Sequence, residues 1–181
     1  MHFISTAHYT AFGQIVHFYA SVEFGIKACL AGILEVPLIE SLIMCEPYSA
    51  AQLKNVAKSI TKESRLSDKD KETFCHIVGE WSGFSSLRNQ IAHNRWSRGS
   101  RPGSIIPVGI DIRSGRAIWI VKEDSRDWLA PELSEEADKI GKVNARLQRF
   151  HNETGIAEII DRKDAERNSA TDSSEGSDTK S

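Results

Sequence analysis

Arg88, Asn89 and His93 stand together in the run LRNQIAHNRW, Leu87 to Trp96, within a segment otherwise patterned for packing. Their types suit chemistry on a phosphodiester. A guanidinium grips a phosphate through paired donors and stabilises the charge that develops on it. An imidazole, whose pKa in water lies near ~6.5, takes up or releases a proton close to neutrality. RNA cleavage asks for these services: the 2′-hydroxyl must lose a proton, the leaving oxygen must gain one, and the phosphorane's charge must be held.

Spacing limits how the three residues can cooperate. On a regular helix, Arg88 and His93 are ~7.5 Å apart along the axis and point ~140° apart. Asn89 and His93, four apart, share a face. Convergence of Arg88 with His93 therefore needs either a deformed helix end or a second copy of the helix. A small-residue stripe on the same segment, Gly79, Gly83 and Ser86 leading to Gln90 and His93, bears on this choice. Glycine inside a helix costs ~1 kcal/mol relative to alanine, so two of them four apart imply a close neighbour. That neighbour is either the first helix of the same chain or a second copy.

Glu23 is a further candidate. It interrupts the apolar series Phe12, Val16, Tyr19, Ile26, Leu30 and Ile33, where a carboxylate would need a cation. Arg88 is the natural partner if Glu23 is partly buried; with the helix rotated slightly, Glu23 would simply be wet.

The elements that must position these groups can be read from periodicity and caps. A first helix is expected over about Thr10 to Leu34, broken by Pro37, with a short helix to Cys45. Ser49 caps a third helix, and Ser67 with Asp68 and Asp70 starts a long fourth, Asp68 to about Trp96. Its buried face would be Phe74, Val78, Trp81, Phe84, Leu87 and Ile91. The run RWSRGSRPGS reads as a basic loop. Alternating residues about 105–121 then form a β-hairpin around Ser114-Gly115. A last long helix runs from about Pro131 to His151, and Gly155 restarts a short helical piece to Lys163. The expected fold is mainly α: an up-and-down bundle of four to five helices with one added β-hairpin. One domain would cover residues 1–163, followed by a disordered acidic, Ser-rich tail at 164–181.

The chain's 181 residues suffice for one ordinary core, and 40% hydrophobic with 27% charged residues is the balance of a globular protein. The net charge of −2 hides a strong asymmetry. Between Phe84 and Arg126, eight basic side chains face three acidic ones, a surplus of +5. The segment from Asp164 onward carries −3. A basic middle attracts anions, and Arg95, Arg98 and Arg101 could either guide a nucleic-acid backbone or merely solvate a loop. Three cysteines without CxxC spacing argue against a disulfide framework or a zinc site and fit a reducing, cytoplasmic compartment. The histidines form no HxH or HExxH pair, so no metal and no cofactor are expected. The apolar stretch Phe24 to Cys45 contains Lys27, Glu35, Pro37 and Glu40, too interrupted for a membrane span.

An Arg-Asn pair, three residues and a His late in a long helix, after an earlier helix with an inward acid, resembles the HEPN superfamily. Arg88, Asn89 and His93 match its Arg–polar–x–His motif, and residues 8–96 with the helix at 131–151 match its helical domain. The resemblance implies a small helical bundle that pairs as a homodimer and brings two copies of the motif together in a cleft. It also implies a metal-independent endoribonuclease leaving a 2′,3′-cyclic phosphate, with RNA as substrate, in toxin–antitoxin, phage-defence or RNA-processing settings. An antitoxin or other protein partner would follow. Members regulated by tyrosine modification carry a tyrosine shortly after the histidine, and the residue two on here is Arg95. The hairpin lies outside the minimal bundle. Two other readings stand beside the nuclease: a catalytically silent dimeric module binding RNA, nucleotide or protein, and a scaffold in which Arg88 and Glu23 lock two helices.

Overall fold

The computed structural model describes residues 3–113, 116–121 and 125–175. Among these, seven helices and three strands follow in the order α1 (Thr6–Leu34), α2 (Leu38–Cys45), α3 (Ala50–Glu63), α4 (Asp68–Gly83), α5 (Ser85–His93), β1 (Arg95–Arg98), β2 (Ile105–Arg113), β3 (Arg116–Ile120), α6 (Ala130–Glu153) and α7 (Ile156–Glu175). The protein is mainly helical with one small antiparallel sheet, as the patterning predicts.

Most helix boundaries trace to side chains that satisfy orphan backbone donors. Ser5 Oγ accepts from the His8 amide at 3.4 Å, so α1 begins four residues before the predicted Thr10. At the other end Glu35 takes a left-handed conformation, φ 55°, and the Val36 amide donates back to Ala31. Pro37 then forbids continuation. Ser49 and Gln52 form a reciprocal capping box at α3. Ser67 Oγ accepts from the Asp70 amide at 3.2 Å to open α4. Gly155, φ 71°, ends α6 and turns the chain into α7.

Contacts gather the chain into two compact units, residues 1–20 with 83–142 and residues 21–82 with 143–181. The first unit buries Ala11, Ile15 and Tyr19 of α1, Leu87 of α5, Ile105, Trp128, and Leu133, Ala137 and Ile140 of α6. The second buries Val22, Ile26, Cys29 and Leu30 of α1, Leu53, Phe74, Ile77 and Trp81, and Leu147, Phe150 and Ile156. Phe74 and Phe150 stack there at 5.2 Å. The inward face of α1 is turned relative to the predicted stripe. Ile15 is fully buried while Val16 is 40% exposed. Phe12 instead lies beside Trp96, with ring centroids 4.8 Å apart.

Three further differences from the sequence expectation concern elements near the site. The long fourth helix is interrupted at Phe84, leaving α5 as a separate nine-residue helix that ends at His93. The basic run after it is not all loop: Arg95–Arg98 forms β1, antiparallel to β2 with Arg95 opposite Val108 and Arg98 opposite Ile105. The predicted hairpin is present, with Ile110 opposite Trp119, and its Ser114-Gly115 turn lies outside the described residues. At the C-terminal end α7 continues past Lys163 to Glu175, with residues 165–170 exposed throughout; residues 176–181 lie outside the described residues. No single described helix is long and apolar enough to cross a membrane.

Candidate functional site

Helix α5 carries all three motif residues. Leu87 is its inward anchor, and Asn94, extended at ψ 152°, ends it with its amide donating to Gln90 at 3.1 Å. The helix is regular through His93, so the deformed-end route to convergence is not taken. Within one chain Arg88 and His93 keep their ~140° angular offset. Asn89 and His93 are both exposed, whereas Arg88 is half-buried.

The two exposed residues share a polar depression of about 630 Å³ with Ser85, Ser86, Gln90, Asn94 and Ser125. Every side chain in that lining can form hydrogen bonds, and none carries a fixed charge. His93 is the last residue of α5. A smaller depression of about 300 Å³ shares Ser86 and Gln90 and adds Leu87, Arg126 and Trp128. There the Arg126 guanidinium lies 3.6 Å from the Trp128 ring centre. Another depression, about 460 Å³, lies in the second unit around His76, Arg146 and Arg149.

Arg88 is held from two sides. Its guanidinium lies 4.9 Å from the ring centre of Tyr19, which is almost completely buried, and Nη1 donates to Asn89 Oδ1 at 3.0 Å. The ring favours a cation over its face, and the carboxamide fixes the direction of the guanidinium. Asn89 thus touches the arginine and lines the depression that contains the histidine. Tyr19 was not among the expected site residues; only its place on the inward side of α1 hinted at a role.

The remaining candidates separate. Arg95 rests over Trp119 at 4.9 Å, and both Arg95 and Arg98 are exposed. Arg101 is engaged: it donates to both carboxylate oxygens of Glu132 at 2.9 and 2.8 Å and to the Asp127 carbonyl at 2.6 Å. Asp127 Oδ2 accepts from the Ser100 amide and hydroxyl, the Arg101 amide and the Ser104 hydroxyl. The Ser100 hydroxyl, then the Arg101 amide, hold its carboxyl down at about 2. Arg101, followed by the Leu129 amide, brings Glu132 to about 2 as well. Gly99 is required in this loop because a Cβ there would lie 2.3 Å from Ser104 Oγ and 2.7 Å from the Asp127 carboxylate carbon. Arg101 therefore shapes the loop and has little of its guanidinium left for a phosphate.

Glu23 is half-buried on α1 and pairs with Lys27 one turn on, Nζ to Oε1 at 3.0 Å. It belongs to the second unit and Arg88 to the first. Among the described residues, Gly79 and Gly83 have nothing beyond their own helix and chain neighbours within 4 Å of where a Cβ would stand. Packing of the first helix against this stripe is therefore not what keeps them small. Burial pushes the Cys29 thiol up to about 12, which makes it inert as a nucleophile. Among the described residues, no three of His, Cys, Asp and Glu are grouped to hold a metal. Comparison with protein-family models, curated proteins and solved structures gives no match to this chain.

Proposed function

We propose that this chain is a metal-independent endoribonuclease of the HEPN type, acting as a homodimer that joins Arg88 of one copy to His93 of the other. The observation that carries the reading is the joint placement of Asn89 and His93 in one open polar depression, with Arg88 fixed beside them by Tyr19 and Asn89. A regular helix keeps Arg88 and His93 apart within a chain, and a two-fold partner supplies the missing group. Two histidines then share the proton steps, one taking the 2′-hydroxyl proton and the other giving one to the leaving oxygen. The arginines hold the phosphate and stabilise the phosphorane's charge. A toxin or phage-defence role fits such an activity, and an antitoxin or other protein partner would restrain it.

Purified protein incubated with single-stranded RNA in EDTA tests this. Cleavage leaving 2′,3′-cyclic phosphate ends, or their hydrolysis product, is the expected result; intact RNA overturns it. A second reading, a silent module that binds RNA without cutting, is favoured by the hold on Arg88: its guanidinium already has an aromatic face and a carboxamide as partners. Binding without cleavage selects that reading.

A further inference from the structure

The smaller depression beside the motif, about 300 Å³, lies at the low end of the size of ligand pockets and suits one small planar group. It shares Ser86 and Gln90 with the depression that holds His93. Trp128, only 7% exposed, forms part of its lining, and the Arg126 guanidinium carbon lies 3.6 Å from the centre of that ring. Arg126 itself is exposed, so the planar cation is backed by the indole on one side and open on the other. Gln90 is half-buried, and its carboxamide has no hydrogen-bond partner among the described residues. A carboxamide withdrawn from part of its water without a partner is ready for the donors and acceptors of a ligand. Glu136 completes the polar lining. Lys139 holds its Oε1 at 2.8 Å, which leaves the remaining lone pairs of the carboxylate to accept.

These groups discriminate among ligands. A phosphate is a poor match, because the Glu136 carboxylate lines the same space and offsets the Arg126 charge. A purely apolar ligand would strand both the carboxamide and the carboxylate. A base satisfies all of them, since its face stacks on a guanidinium plane while its edge forms hydrogen bonds. Among the four RNA bases only guanine presents two neighbouring donors on its Watson–Crick edge, N1–H and the 2-amino group, beside the O6 acceptor. Two neighbouring donors match a carboxylate as the arginine fork does, and the Gln90 amino group can donate to O6. Adenine and cytosine bring a ring-nitrogen acceptor to that position, which a carboxylate repels. Uracil has a single donor between two carbonyl oxygens.

We infer that the depression lined by Gln90, Arg126, Trp128 and Glu136 is a pocket for an unpaired guanine beside the scissile phosphate, so that cleavage is directed to guanosine. Arg126 stacks the base, Glu136 accepts from N1–H and the 2-amino group, and Gln90, common to both depressions, donates to O6. The inference rests on the RNA-cleaving reading above and adds which base is selected.

The test is fluorescence anisotropy of labelled uridine dodecamers carrying one central guanosine, inosine or adenosine. The full chain is used in EDTA, in the His93→Ala background that keeps the probe intact. Guanosine is expected to bind roughly five- to hundred-fold more tightly than adenosine, the discrimination of one good bidentate pair to a base. Inosine lacks the 2-amino group and should fall between them. Glu136→Gln should bring the guanosine-to-adenosine ratio towards one, a change that general loosening of the fold does not produce. Arg126→Ala should weaken the guanosine probe, and Arg126→Lys should not restore it, because charge without the plane does not stack. Circular dichroism checks that each variant is folded; if one is not, the comparison of guanosine, inosine and adenosine decides alone. Equal affinity for guanosine and adenosine overturns the pocket, as does an unchanged ratio in folded Glu136→Gln. GMP binding as tightly as the guanosine probe would assign the pocket to a free nucleotide and also overturn it. Mapping the ends left by the parent protein separates the two readings. Guanosine-selective binding without cleavage keeps the pocket and refutes the nuclease; cleavage without preference for any base does the reverse.

Discussion

Replacing Gly79 by alanine should move stability and self-association in opposite directions. Alanine is favoured over glycine inside a helix by ~1 kcal/mol. Gly79 lies within α4, and apart from its own helix nothing among the described residues stands within 4 Å of the added methyl. No packing loss offsets the gain, so Gly79→Ala should stabilise the chain by ~0.5–1 kcal/mol. For 181 residues that corresponds to a rise in Tm of ~1–4 °C. Gly32 is the control of opposite sign. A Cβ there would lie 2.6 Å from Ile156 Cγ2 and 3.2 Å from the Ile156 carbonyl oxygen. Overpacking of that kind costs ~1–3 kcal/mol, more than the propensity gain. Retaining two glycines that the single chain does not need is intelligible if a second copy approaches the stripe closely. Gly83→Leu should then weaken self-association, measured by sedimentation, far more than Lys58→Leu on the exposed side of α3. Thermal and urea denaturation at low protein concentration give the stability half. The reasoning fails if Gly79→Ala lowers Tm, if Gly83→Leu sediments as the parent does, or if the parent itself is monomeric.

Glu23→Gln and Lys27→Met, partners at 3.0 Å on α1, are expected to be non-additive in a double-mutant cycle. A half-buried pair should couple by more than the ~0–1 kcal/mol of an exposed one, and strictly additive losses would mean the two side chains act independently. The Asp127–Arg101–Glu132 loop should give the fold an acid limb. Both carboxyls are held at about 2 against ordinary values of 3.8 and 4.5, so the stability they contribute is present above about 4.5 and is lost as pH falls towards about 2. Asp127→Asn should flatten that part of the denaturation-midpoint curve; an unchanged curve would show the loop is uncoupled from folding.

Local chemistry announced much of this architecture. Ser49 and Ser67 mark helix starts because their hydroxyls reach amides three residues on, and Pro37 marks a break that no neighbour can repair. Ser5 carries the same signal but sits before a stretch whose first inward residues, His8 and Ala11, are weakly apolar. The interruption at Phe84 has no proline behind it, and Gly83 is equally at home in the small-residue stripe. β1 was hidden because four residues containing two arginines do not alternate convincingly; their strand state comes from pairing with Ile105 to Val108, ten residues further on. The length of α7 was concealed by composition, since residues 165–170 are all exposed. At the site, the types and spacing of Arg88, Asn89 and His93 were legible, as was their place late in a helical segment. What Arg88 rests on, and the contribution of Ser125 to the depression, depend on contacts distant in sequence that no local pattern encodes.

His93→Ala and Arg88→Ala, compared for both RNA binding and RNA cutting in EDTA, test the central claim most directly. Loss of the proton-transfer group should reduce cutting by ~10²–10⁴-fold. His93→Ala should nevertheless hold RNA nearly as well as the parent, since in the proposed reading Arg88, Arg95 and Arg98 would grip phosphate without it. Arg88→Ala should weaken both binding and cutting. The account is contradicted if His93→Ala cuts as fast as the parent, or if Arg88→Ala leaves both properties unchanged.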